Sequence, residues 1–119
     1  MSVDRCSHLE AAIKRVITKQ YKLAFGKGPD ETRVRISDNV VVIRFEGALT
    51  SIEESLLGTS AGAQLVADVR RRMVHEKKED YVPYLEEVVG EKVQEVSFAF
   101  NDKTNEMYLF LIFSVDLCY

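Results

Sequence analysis

One run of residues joins a helix end, a hairpin and a helix start, and it constrains the fold more than any other part of the chain. It reads Phe25-Gly26-Lys27-Gly28-Pro29, then Arg33 to Phe45, then Glu46-Gly47-Ala48-Leu49-Thr50. Glycine accepts the left-handed conformation that ends helices, and proline has no amide hydrogen with which to continue one, so a preceding helix stops at about Phe25. Upstream, Leu9, Ala12, Ile13, Val16, Ile17 and Leu23 recur at helical spacing, and Ser7 with Glu10 has the spacing of a capping box. The pattern predicts a helix over 7–24 with one buried stripe.

Arg33 to Ile36 and Val40 to Phe45 are β-rich runs separated by Ser37-Asp38-Asn39, whose short polar side chains suit a turn. With Asp38-Asn39 as a two-residue loop, Ile36 lies opposite Val41 and Val34 opposite Ile43, and these four share a face with Phe45. The other face then carries Glu31, Arg33, Arg35, Val40, Val42, Arg44 and Glu46. One face belongs to a core and the other is mixed.

Thr50 with Glu53, and Ser51 with Glu54, both have capping-box spacing, which predicts a short helix over 51–57, interrupted at Gly58 and restarted at Thr59-Ser60. In the restarted part Leu65, Val66, Val69 and Met73 form an apolar stripe, and Lys77 to Asp80 close it in a solvated charge run. A further short helix is predicted over 81–89, with Asp80 as its N-cap, Pro83 in its first turn and Gly90 as its stop. A second hairpin ends the chain: Lys92 to Phe100, a polar turn over 101–105, and Met107 to Leu117. The expected fold is α+β, a single domain over 1–119. Two antiparallel hairpins form a four-stranded sheet with helices on one face, in the order α-β-β-α-α-β-β.

The last strand departs from ordinary alternation. Leu109, Leu111, Phe113 and Val115 fall on one face, while Tyr108, Phe110 and Ile112 fall on the other. A strand apolar on both faces wants cover on both. Helices can shield one face of the sheet, and an uncovered apolar patch on the second marks an interface. The segment Tyr108, Leu109, Phe110, Leu111, Ile112, Phe113 is therefore the candidate interface, and a homodimer or a tight hetero-complex is expected.

Composition narrows the function classes. The chain has 119 residues, 46% hydrophobic and 29% charged, with a net charge of −3. That balance is far from the basic one that non-specific nucleic-acid binding favours, so no nucleic-acid partner is expected. The longest apolar run, Tyr108 to Phe113, is far short of the ~20 residues a membrane span needs, and the N-terminus lacks the apolar stretch of a signal peptide. Two cysteines, Cys6 and Cys118, are too few for a disulfide framework, which suggests free thiols and a reducing, cytoplasmic compartment.

No catalytic or cofactor motif accompanies these elements. Gly26-Lys27-Gly28-Pro29 closes a helix and leads into a strand, the reverse of a nucleotide-binding loop, and reads as a helix stop and turn. Arg33, Arg35 and Arg44 share the mixed hairpin face, with Arg33 directly opposite Arg44, so something must neutralise them: Glu31, Glu46 and solvent, or a bound anion. Arg70-Arg71-Arg72 point in three directions from a helix and make no patch. Cys6, His8 and Cys118 could meet a metal only if the termini meet, and no Cys-x-x-Cys pair supports that. His75-Glu76 lacks a third partner, and Glu86-Glu87 diverge by about 100° on a helix, a poor acid–base pair. No catalytic residue, metal or cofactor is expected.

Phe25-Gly26-Lys27-Gly28-Pro29, Val40-Val41-Val42-Ile43-Arg44-Phe45-Glu46-Gly47-Ala48-Leu49-Thr50, Glu53 with Leu56-Leu57, and Leu65-Val66-Ala67-Asp68-Val69-Arg70 together resemble the MpsC-like family. So does the order of elements through Val89-Gly90-Glu91-Lys92-Val93 to the last hairpin. The similarity runs from about Leu9 to Val115. The family takes its name from a component of a sodium-translocating, membrane-potential-generating system. The resemblance implies an association with membrane ion or inorganic-carbon transport, with the membrane-embedded work done by other subunits, and it supplies no catalytic residues. Two readings follow. One is a non-enzymatic accessory or regulatory homodimer, cytoplasmic and held at the membrane by a transport subunit. The other is a homodimeric soluble module that binds an anion or other ligand with the arginine hairpin.

Overall fold

A computed structural model describes residues 2–118; Met1 and Tyr119 lie outside it. The elements are α1 (Ser2–Phe25), β1 (Glu31–Ser37), β2 (Val40–Glu46), α2 (Ser51–Ser55), α3 (Ser60–Glu76), α4 (Lys78–Val89), β3 (Val93–Asn101) and β4 (Glu106–Phe113). The strands form one antiparallel sheet in the order β1-β2-β4-β3, so the two hairpins meet through β2 and β4. This is the expected α+β architecture. The first hairpin has the expected register, with Ile36 opposite Val41, Val34 opposite Ile43 and Arg33 opposite Arg44.

The core lies on one side of the sheet. Val34, Val41, Ile43, Phe45, Met107, Leu109, Leu111 and Phe113 meet Ile13, Ile17 and Tyr21 of α1, Val74 of α3, and Tyr81, Leu85 and Val89 of α4. Each fully buried leucine or isoleucine contributes roughly 1.5–3 kcal/mol relative to an exposed one, so this layer supplies most of the driving force.

Helix α1 ends as the sequence requires: Gly26, at φ 79°, returns its amide to the Lys22 carbonyl at 2.8 Å. Its start differs. The helix runs from Ser2, so Ser7 lies inside it and caps nothing, and the Glu10 carboxylate instead accepts the Ile36 amide at 2.9 Å. The extra turns are held from the far end of the chain, where Arg5 Nε donates to the Leu117 carbonyl at 2.8 Å.

Thr50 and Glu53 form the expected capping box of α2, and Thr59 caps α3 by accepting from the Gly62 amide. The buried stripe of α3 differs from the expected one. Val66, Arg70 and Val74 face inward, while Leu65 and Val69 are exposed. The apolar pattern misplaced the stripe because its central member is a charged side chain. Helix α4 begins at Lys78, three residues before the expected Tyr81, so Asp80 sits inside its first turn and Pro83 beyond it. Pro83 has no amide to offer the Glu79 carbonyl one turn back, and both residues are exposed. Gly90 ends the helix in the left-handed conformation, as expected.

Strand β4 stops at Phe113, short of Leu117. The tail turns to pair with the first hairpin's loop, through Phe113 N to Asn39 O at 2.8 Å and Leu117 N to Asp38 O at 3.0 Å. Val115 therefore leaves the core face, and Leu117 is buried by the tail's fold-back.

Candidate functional site

The second face of the sheet has no helix over it among the described residues. Strand pairing places its side chains in four rows: Ser37, Val40, Ile112, Glu95; then Arg35, Val42, Phe110, Ser97; then Arg33, Arg44, Tyr108, Ala99; and last Glu31, Glu46, Glu106, Asn101. The two central strands bring Val40, Val42, Phe110 and Ile112 together as a half-buried apolar centre. The Tyr108 and Phe110 rings stack in near-parallel planes, with centroids 6.3 Å apart. The sequence brings these residues together because β4 is apolar at every position from Met107 to Phe113, whichever way a side chain points.

Carboxylates pair with two of the three arginines of the hairpin, Arg33 and Arg44. Arg33 Nε donates to Glu46 at 2.6 Å. Arg44 forks onto Glu106, its Nε at 2.7 Å, and also lies 3.6 Å from Glu46. Glu106 accepts further bonds from the Thr104 hydroxyl at 2.8 Å and the Tyr108 hydroxyl at 3.0 Å. The hydrogen bonds from Arg44 and Thr104 hold its carboxyl below the usual range, so it is ionised at neutral pH. Glu31, the other expected counter-charge, pairs with Lys14. Arg35 donates only to the Val34 carbonyl and keeps an exposed guanidinium free of carboxylates among the described residues. A shallow depression lined by Arg33, Arg35, Val42, Arg44, Glu46 and Tyr108 lies over the cluster.

The candidate interface divides by strand parity. Tyr108, Phe110 and Ile112 lie on the open face, whereas Leu109, Leu111 and Phe113 are buried in the chain's own core. Glu106 was missed by sequence reasoning. It stands at the edge of a polar turn, and only the pairing of β2 with β4 brings it beside Arg44.

Compared with protein families, residues 6–115 match the family model described as "Na+-translocating membrane potential-generating system (MpsC)". The chain belongs to the MpsC family. Neither the curated proteins nor the solved structures contain a match to it. The MpsC match spans both hairpins and all four helices, so the open face is part of the family domain itself. No helix among the described residues is long and apolar enough to cross a membrane.

Other polar groups of this MpsC chain are engaged within the fold. Glu86 accepts the Val93 amide at 2.9 Å and joins the end of α4 to β3. Arg70 is fully buried; it forks onto Glu53, donates to the Tyr21 hydroxyl at 2.6 Å and the Ala48 carbonyl at 2.8 Å, and lies over the Phe25 ring. Beside it, between α1, α3 and the sheet, is an apolar cavity of about 110 Å³ lined by Tyr21, Phe25, Phe45, Met73 and Met107. Ligand pockets for metabolite-sized molecules run to roughly 300–1,000 Å³, so this one is too small for such a ligand.

The cysteines are not free. Cys6 and Cys118 form a disulfide, with Cα atoms 5.1 Å apart, because the N-terminal extension of α1 runs beside the tail after β4. The inference from cysteine count to a reducing compartment rested on free thiols and loses that support, since disulfides persist mainly in oxidising surroundings. Among the described residues no group of histidine, cysteine and carboxylate side chains is arranged to hold a metal.

Proposed function

We propose that this MpsC-family chain is a non-enzymatic accessory or regulatory protein of a membrane ion-transport system, working as a homodimer and held at the membrane by a membrane-embedded partner. The observation that carries this reading is the open sheet face, whose apolar centre of Val40, Val42, Phe110 and Ile112 has no cover from this chain's helices. An apolar patch rimmed by polar residues on such a face is a common mark of a protein–protein contact. The family description supplies the system, and no helix among the described residues is long and apolar enough to cross a membrane. Arg33 and Arg44 already hold carboxylates, which favours a contact surface over an anion-binding module.

Capture of the tagged protein from native membranes in mild detergent, followed by mass spectrometry and sizing, tests the reading. A membrane transport protein recovered in stoichiometric amount with two copies of this chain is the expected result. Recovery of this chain alone from membranes that retain their transporters would overturn it.

A further inference from the structure

The open face has a charge pattern that selects one way for two copies to meet. Along its β1 side lies the unpaired Arg35, and along its β3 side lies Glu95, for which no ion pair is present among the described residues. Aligned face-to-face packing of two such sheets about a two-fold axis can occur in two ways. An axis running across the strands lays β1 on β1, setting Arg35 against Arg33 of the second copy and Val40 and Ile112 against the glutamates of the far row. An axis running along the strands lays β1 on β3 and β2 on β4. Then Val40 and Val42 meet Ile112 and Phe110 of the second copy, Arg44 lies over Tyr108, and Arg35 reaches Glu95 one row away.

The first arrangement juxtaposes like charges and buries carboxylates against apolar side chains, both unfavourable. The second matches apolar with apolar, cation with aromatic ring and cation with carboxylate, and the like charges it does bring together, Glu46 and Glu106 of the second copy, are carboxylates already paired with Arg33 and Arg44. We infer that two copies pack through their open faces about an axis parallel to the strands, with Arg35 of each paired to Glu95 of the other. This inference rests on the homodimer reading and adds its geometry. A four-stranded face of this length covers about 19 × 23 Å. That is roughly 440 Å² per copy, below the ~800 Å² per partner of standard stable interfaces and in the range of weak ones, so a reversible, concentration-dependent dimer is expected.

Sedimentation velocity over a concentration series, on the wild type, Arg35→Glu, Glu95→Arg and the double variant, tests the inference. Both side chains are exposed on edge strands, and circular dichroism verifies that the variants stay folded. Each single variant places two like-charged pairs in the interface and is expected to raise the dimer Kd by about tenfold or more; the double variant should return it to within about threefold of wild type. Tighter association of Arg35→Glu alone would indicate the cross-strand axis and overturn the inference. Dimers unaffected by all three variants would also overturn it and leave the homodimer standing. A wild type monomeric at every concentration would remove both.

Discussion

Arg70 of α3, with no exposed surface, holds Glu53 of α2 through a two-pronged ion pair, its Nε 2.7 Å from the carboxylate. The same guanidinium reaches the Tyr21 hydroxyl and the Ala48 carbonyl, so one side chain ties α1, α2 and α3 to the loop that follows β2. Its burial carries a desolvation cost that the four-way bonding offsets.

Removing one partner from this pair leaves the other uncompensated. Arg70→Met is expected to destabilise the fold by about 3–5 kcal/mol, read from urea unfolding. Adding Glu53→Gln should then cost less than it does in the wild type, because the orphaned charge has gone. Equal and additive losses would show that the two side chains do not act as a pair.

The pair also predicts a pH dependence. Burial alone would raise the Glu53 carboxyl, but bonds from Arg70 and from the Thr50 amide outweigh it, and the group titrates below its ordinary 4.5. A carboxyl depressed in the folded state contributes stability that is fully present above 4.5 and is lost as pH falls through the folded value. Chemical denaturation midpoints should therefore fall on acidification below about pH 4.5, and fall less steeply in Glu53→Gln.

Gly62 tests the close approach of α2 to α3. In an open helix Gly→Ala gains about 1 kcal/mol. Here a Cβ on Gly62 would collide with the Leu56 carbonyl, a backbone atom that cannot swing away. Gly62→Ala should therefore lose stability, by about 1–3 kcal/mol. Gly28→Ala, with open space around its Cβ, should not suffer such a clash.

The Cys6–Cys118 bridge closes almost the whole chain, with a sequence separation of 112. Cross-links closing loops of about 100 residues stabilise by up to about 4.7 kcal/mol in the chain-entropy account. Reductant should lower the Tm of the wild type and leave the Cys6→Ser/Cys118→Ser variant unchanged. A wild-type Tm indifferent to reductant would mean that the bridge adds nothing to stability.

Much of the fold was legible in local sequence. The Asp38-Asn39 loop set the register of the first hairpin, Thr50 with Glu53 marked a helix start, and Gly26 and Gly90 marked helix ends, because each of these depends on neighbouring residues alone. The features that were not legible depend on distant partners. Arg70 occupies the middle of a buried stripe where hydrophobic periodicity expects an apolar residue, and only Glu53, Tyr21 and Ala48 make that burial tolerable. The early start of α1 rests on Leu117 and Cys118 at the other end of the chain. On the open face, alternation along β4 identified Tyr108, Phe110 and Ile112, while Glu106 and Glu95 acquired their places only through strand pairing.

The central claim is that the open sheet face is a contact surface, and sedimentation of the wild type beside Phe110→Asp and Leu109→Asp addresses it most directly. Phe110 is half-buried on that face, whereas Leu109 is buried beneath it in the core. The account predicts a wild-type dimer, a folded monomer for Phe110→Asp and an unfolded chain for Leu109→Asp. A Phe110→Asp protein that remains folded and dimerises as tightly as the wild type would contradict it.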